Sequence, residues 1–90
     1  MDARVRKAVS SKIDEAIASA GEMRQIQSSL KAIPEAQNAD FVFGIAVGRI
    51  YNSFHYQTRR VLGRDATDEE FAQFLEILSK SAGRIRQACK

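Results

Sequence analysis

Ninety residues with a formal charge of +3, 44% apolar and 28% charged side chains, describe a small folded domain rather than a disordered chain. A single cysteine, Cys89, and a single histidine, His55, exclude an internal disulfide, a four-thiolate metal site and any His-rich zinc or di-iron centre. The expectation is one helical domain over residues 1–90, with no metal and no cofactor.

The opening Met-Asp-Ala-Arg-Val-Arg-Lys is basic. It lacks the run of roughly 7–15 apolar residues that a secretory leader needs, because Ser10, Ser11, Lys12, Asp14 and Glu15 interrupt it. The most apolar stretch, from Phe41 to Ile50, already contains Arg49 and is about half as long as a bilayer crossing requires. With an unpaired thiol, these features point to a cytoplasmic chain that does not enter a membrane.

Apolar residues recur with helical spacing along the whole chain, and glycine and proline are sparse. The first segment, about 2–32, carries Val9, Ile13, Ala16, Ala20, Met23, Gln27 and Leu30 at alternating steps of four and three, a heptad seam with one polar intrusion at Gln27. Val5, Ile17, Ile26 and Ile33 widen that stripe. Gly21 is a place for a kink, and Pro34 ends the helix by pushing the residue before it out of the helical region. The second segment, about 39–62, starts at Asn38 or Asp40 as cap and stops at Gly63. In its first three turns Phe41, Val42, Phe43, Ile45, Ala46, Val47, Ile50 and Tyr51 occupy every face. A helix apolar all round is one buried all round, and two neighbours in a small bundle cannot cover it. The third segment, about 67–88, opens with Thr67 and Glu70 at capping-box spacing and carries Phe71, Phe74, Leu75, Leu78, Ala82 and Ile85 as its buried stripe. Short connections then give an all-α antiparallel three-helix bundle, dimerising through the apolar second helix.

Three features of that second helix carry functional expectations. Gly44 and Gly48 stand one turn apart on one face, and two interior glycines cost about 2 kcal/mol together. Either a second backbone approaches there, or a bulky side chain from the first or third helix fills the space. With Phe41, Ile45 and Tyr51, the two glycines are the candidate dimer interface. Further along, Arg49, Asn52, Tyr56 and Arg59 share one face, with Ser53 and Arg60 on its flank. Arginine forks suit phosphate, an Asn amide suits a base edge and a Tyr ring suits stacking, so Arg49, Asn52, Tyr56, Arg59 and Arg60 are candidate ligand or nucleic-acid contacts. A solvated helix face, or polar bonding across a dimer interface, would place the same residues there.

The third feature is a short motif. Arg49, five intervening residues and His55, followed by Tyr56, resembles the Arg-x4-6-His motif of HEPN domains. The resemblance implies an all-α dimer and a metal-independent ribonuclease in which Arg49 and His55 would meet at the scissile phosphate. It covers seven or eight residues, and Ile50 stands where that family has a polar side chain.

The net positive charge is confined to one half. Residues 1–48 balance six basic against six acidic side chains, whereas residues 49–90 hold eight against five. The basic groups Arg59, Arg60, Arg64, Lys80, Arg84, Arg86 and Lys90 sit at helix C-terminal ends, where the dipole favours cations. Arg4, Arg6 and Lys7 lie at a helix N-terminus instead, either as a frayed, solvated end or, if any surface binds an anion, as the better end for it. The carboxylates Asp14, Glu15, Glu69 and Glu70 read as surface and capping groups, and Cys89 has no positioned base. The leading expectation is therefore a small non-enzymatic interaction module acting as a homo-oligomer. The alternative is a nucleic-acid-binding helical protein, with an HEPN-like ribonuclease using Arg49 and His55 as its catalytic extreme.

Overall fold

Asp2 opens the chain's first helix, because its carboxylate accepts hydrogen bonds from the free amides of Arg4 at 2.8 Å and Val5 at 3.3 Å. The computed structural model describes all residues from Met1 to Lys90 and is helical throughout, without strands. There are four α-helices: α1 (Ala3–Ala18), α2 (Ala20–Ser29), α3 (Ala39–Leu62) and α4 (Asp68–Ala88), with a short 3-10 turn at Pro34–Ala36 before α3. The fold is therefore a four-helix arrangement, and the expected single helix over 2–32 is corrected to α1 followed by α2.

The break falls at Ser19, not at Gly21. Ser19 leaves helical geometry at φ −102° and ψ 18°, and its hydroxyl donates back to the Glu15 carbonyl at 2.6 Å. A serine that bonds its own preceding turn competes with helix propagation. The Ser19 carbonyl then accepts from Glu22 at 3.0 Å and Met23 at 3.3 Å, which starts α2. The heptad seam continues across the break, so Val5, Val9, Ile13, Ala16, Ala20 and Met23 are all buried. Gln27, the polar intrusion in that seam, has a structural task. Its amide donates to the carbonyls of Ala36 at 2.7 Å and Asn38 at 2.9 Å. Gln37 answers with bonds to the carbonyls of Leu30 and Ile33. The two amides satisfy the loose carbonyls of the connection and tie α2 to the start of α3.

The second and third expected segments keep their bounds to within a residue. Asn38 caps α3 by accepting from the Phe41 amide at 3.0 Å, and Gly63 ends it at φ +68°, a left-handed conformation that other residues adopt only with strain. The Thr67–Glu70 capping box is complete, with Glu70 N–H donating to Thr67 Oγ1 at 3.1 Å and Thr67 N–H donating to Glu70 Oε1 at 2.9 Å. Arg64 adds a two-pronged pair to Glu70 at 2.7 and 3.2 Å. This guanidinium, with the Thr67 amide, holds the Glu70 carboxyl at a pKa of about 2.

α1 runs antiparallel to α3, with Lys12 beside Tyr56 and Ser19 bonded to Arg49, and parallel to α4, with Arg6 beside Gln73 and Asp14 paired with Arg84. The core lies where the three meet: Val5, Val9 and Ile13 of α1, Val42, Ala46, Ile50 and Phe54 of α3, and Phe74 and Ile85 of α4. Phe54 and Phe74 are completely buried and stacked at 4.5 Å. Burying each such side chain is worth about 1.5–3 kcal/mol. Thr58, the one buried polar residue, returns its hydroxyl to the Phe54 carbonyl at 2.8 Å and so leaves no unpaired donor in the core. The expected stripe of α4 is only partly hidden. Phe74 and Ile85 are buried, Phe71, Leu78 and Ala82 are half-buried, and Leu75 is 46% exposed. No helix is long and apolar enough to cross a membrane.

Candidate functional site

α3 turns one face to the core and leaves the other open, and the candidate residues divide between that open face and its edge. On the open face Phe41, Gly44, Gly48, Tyr51 and His55 follow one another at steps of three, four, three and four residues, the spacing of a helix–helix seam. Gly44 and Gly48 are exposed, and a methyl group built on either would meet nothing within 4 Å. The reading in which a glycine accommodates a bulky neighbour from within the chain is thereby corrected: neither α1 nor α4 fills that space. Phe41 and Ile45 are half-buried against the rim of the core, and Tyr51 is 48% exposed. All five residues expected at a dimer interface are thus at least partly accessible in the single chain.

His55 sits at the border of this face with α4. Its ring packs edge-on against Tyr51 at 4.7 Å and Phe54 at 5.0 Å and lies nearly parallel to Phe71 at 5.9 Å. It makes no side-chain hydrogen bond. Arg49 serves the opposite seam, where Nη1 donates to Ser19 Oγ at 3.2 Å and Nη2 lies 3.4 Å from Glu15 Oε1. Within one chain, the two residues of the Arg-x5-His motif therefore face α1 and α4 respectively and do not come together.

Along the α1 side of α3 the structure does bring candidates together. Arg49, Asn52 and Tyr56 line a shallow groove of about 290 Å³, joined by Ser53 and Gln57 of α3 and by Lys12 of α1. Lys12 Nζ lies 3.1 Å from Glu15 Oε1, so one carboxylate is shared between Lys12 and Arg49. Tyr56 is 54% exposed. Arg59 and Arg60 lie beyond the groove. Arg59 is 3.8 Å from Asp65, and Arg60 Nε donates to Gln57 Oε1 at 3.2 Å. Reading the sequence missed Lys12, Glu15 and Ser19 as parts of this region. The Lys12–Glu15 spacing was visible as a helical ion pair, but which turn of α3 it would meet depends on the packing of the two helices.

The N-terminal cations separate. Arg4 pairs with Asp2, its own helix cap, at 3.1 Å. Arg6 instead lines a depression of about 320 Å³ between α1 and α4, with Gln73, Glu76, Ile77, Lys80 and Ser81. Gln73 Oε1 is buried there without a hydrogen-bond partner. Cys89 is buried, and burial pushes its thiol above the usual range, which makes it less reactive. Compared with protein-family models, curated proteins and solved structures, the chain matches none of them.

Proposed function

We propose that the chain is a small non-enzymatic interaction module that works as a homo-oligomer, with the open face of α3 as the contact between two copies. The observation that carries this reading is the pair Gly44 and Gly48. Interior helical glycines cost about 1 kcal/mol each relative to alanine, and nothing inside the chain needs their small size. A second helix backbone approaching to within about 8 Å would need it.

The face is also complementary to itself. A two-fold axis crossing the open face midway between Gly44 and Gly48, with the two α3 helices antiparallel, sets Gly44 opposite Gly48 of the other copy and Phe41 opposite Tyr51. That reciprocity is what a two-fold interface demands. The same orientation opposes the dipoles of the two helices, which favours an antiparallel pair. A buried, unpaired Cys89 fits a cytoplasmic setting.

Light scattering at micromolar concentration tests the reading. The wild type is expected at twice the chain mass, and Gly48→Leu at the mass of one chain with its helical circular dichroism intact. Because the space around Gly48 is open, leucine fits the single chain, and a fall in mass reports lost association rather than unfolding. A wild type that stays monomeric, or a Gly48→Leu variant of unchanged mass, overturns the proposal.

A further inference from the structure

The groove between α1 and α3 lies beside the glycine face and carries a different chemistry. Its cations are paired before any ligand arrives. Lys12 at 3.1 Å and Arg49 at 3.4 Å share the Glu15 carboxylate, and Arg49 is held a second time by Ser19 Oγ. One carboxylate between two cations leaves a net positive charge for an anion to meet. Two turns beyond Arg49 on the same helix stands Tyr56, with more than half of its surface open and no aromatic neighbour in the chain. Between these lie the amides of Asn52 and Gln57 and the hydroxyl of Ser53, which can both donate and accept.

We propose that this groove seats one nucleotide of a single-stranded nucleic acid, its phosphate against Lys12 and Arg49 and its base stacked on Tyr56. The cations, the neutral amides and the exposed ring correspond to phosphate, base edge and base face. Arg59 and Arg60 extend the cationic line, and the stretch from Arg49 to Arg60 is about 16 Å long at the helical rise. The next phosphates of a strand would follow that track. A single strand is favoured over a duplex because an exposed tyrosine can stack only on a base that has left its own stack.

Fluorescence anisotropy with a short labelled oligonucleotide of mixed sequence, as RNA, as DNA and as a duplex, tests the proposal across a salt series. The single strands are expected to bind, with affinity falling as salt rises. Tyr56→Ala is expected to weaken binding roughly tenfold without changing the salt slope, while Tyr56→Phe retains it. Lys12→Gln is expected to lower the salt slope by about one. No binding of single strands at low salt overturns the proposal, as does a Tyr56→Ala variant of undiminished affinity, a Lys12→Gln variant of unchanged slope, or a duplex held as tightly as the single strand. Gly48→Leu, assayed in parallel, is expected to keep its affinity per chain. If it loses strand binding along with its mass, the groove of one chain is not the site.

Discussion

The two faces of α3 are built from the same 24 residues by opposite means. The inner face presents Val42, Ala46, Ile50, Phe54 and Thr58, each at most 1% exposed, and its stability comes from side-chain volume. The outer face presents Gly44 and Gly48, where the absence of side chains is the salient property. Removing volume from the inner face opens a cavity that the chain cannot refill. Adding volume to the outer face disturbs nothing in the chain. Stability and association are therefore separable in this helix, and substitutions can move them in opposite directions.

The largest effect is expected on the inner face. Phe54→Ala removes the ring stacked on Phe74 and against Phe71 and His55, at a cost of about 3–5 kcal/mol. That is a large share of what a domain of this size has in reserve. Urea denaturation followed by circular dichroism is expected to show a midpoint far below that of the wild type. A loss under about 1 kcal/mol would mean that the inner face is not packed as described.

An intermediate effect of opposite sign is expected on the outer face. Replacing Gly44 and Gly48 together by alanine is expected to stabilise the isolated chain by about 1–2 kcal/mol, because helix propensity rises while no contact is crowded. Denaturation at a concentration low enough to keep the chain monomeric measures this. A double variant less stable than the wild type would show that the glycines serve the single chain after all, and the contrast between the faces would collapse.

The smallest effect belongs to the turn that fixes α4 against α3. Glu70 has its carboxyl depressed from the ordinary 4.5 to about 2, chiefly by Arg64 and the Thr67 amide. A group depressed in the folded state stabilises fully above its unfolded value. Its contribution is lost as pH falls from about 4.5 toward 2. Glu70→Gln keeps the capping geometry and loses the charge, so it is expected to cost about 0.5–1 kcal/mol near neutral pH. Thermal melts of variant and wild type are expected to converge near the acid end of that window. A difference that stays constant with pH would remove Arg64 as the cause.

How much of this was legible in the sequence depended on whether the signal was local. Asn38, Gly63, Thr67 and Glu70 act through bonds to residues three or four positions away, and they placed α3 and α4 to within a residue. The first segment reads as one helix with a place for a kink at Gly21, and it divides instead at Ser19. Gly21 carries the familiar weak propensity, whereas Ser19 breaks the helix through a bond to Glu15 and is also reached by Arg49, thirty positions away. At the candidate sites, helical spacing grouped Arg49, Asn52 and Tyr56 correctly, because one helix carries all three. It had no means of adding Lys12, whose place in the groove depends on how α1 is rotated against α3. The glycines were legible as a question only. Periodicity put Gly44 and Gly48 on one face, and the packing of α1 and α4 elsewhere left that face empty.

The amide stitching at Gln27 and Gln37 has a consequence for how the molecule comes apart. α2 hides only Ala20 and Met23, the least of any α-helix in the chain except α4, which instead anchors Phe74 beneath Phe54. Beyond Ala20 and Met23, polar bonds secure α2: Gln27 donates to the carbonyls of Ala36 and Asn38 before α3, and Arg24 donates to the Ala88 carbonyl at the end of α4. Helices secured in this way open at far lower free energy than the core they flank. The molecule is thus graded from a stem, where α1, α3 and α4 enclose the phenylalanines, to an arm beyond Ser19 that buries less. The open glycine face begins beside that arm and ends beside the stem, so any companion seated along it rests on supports of unequal depth.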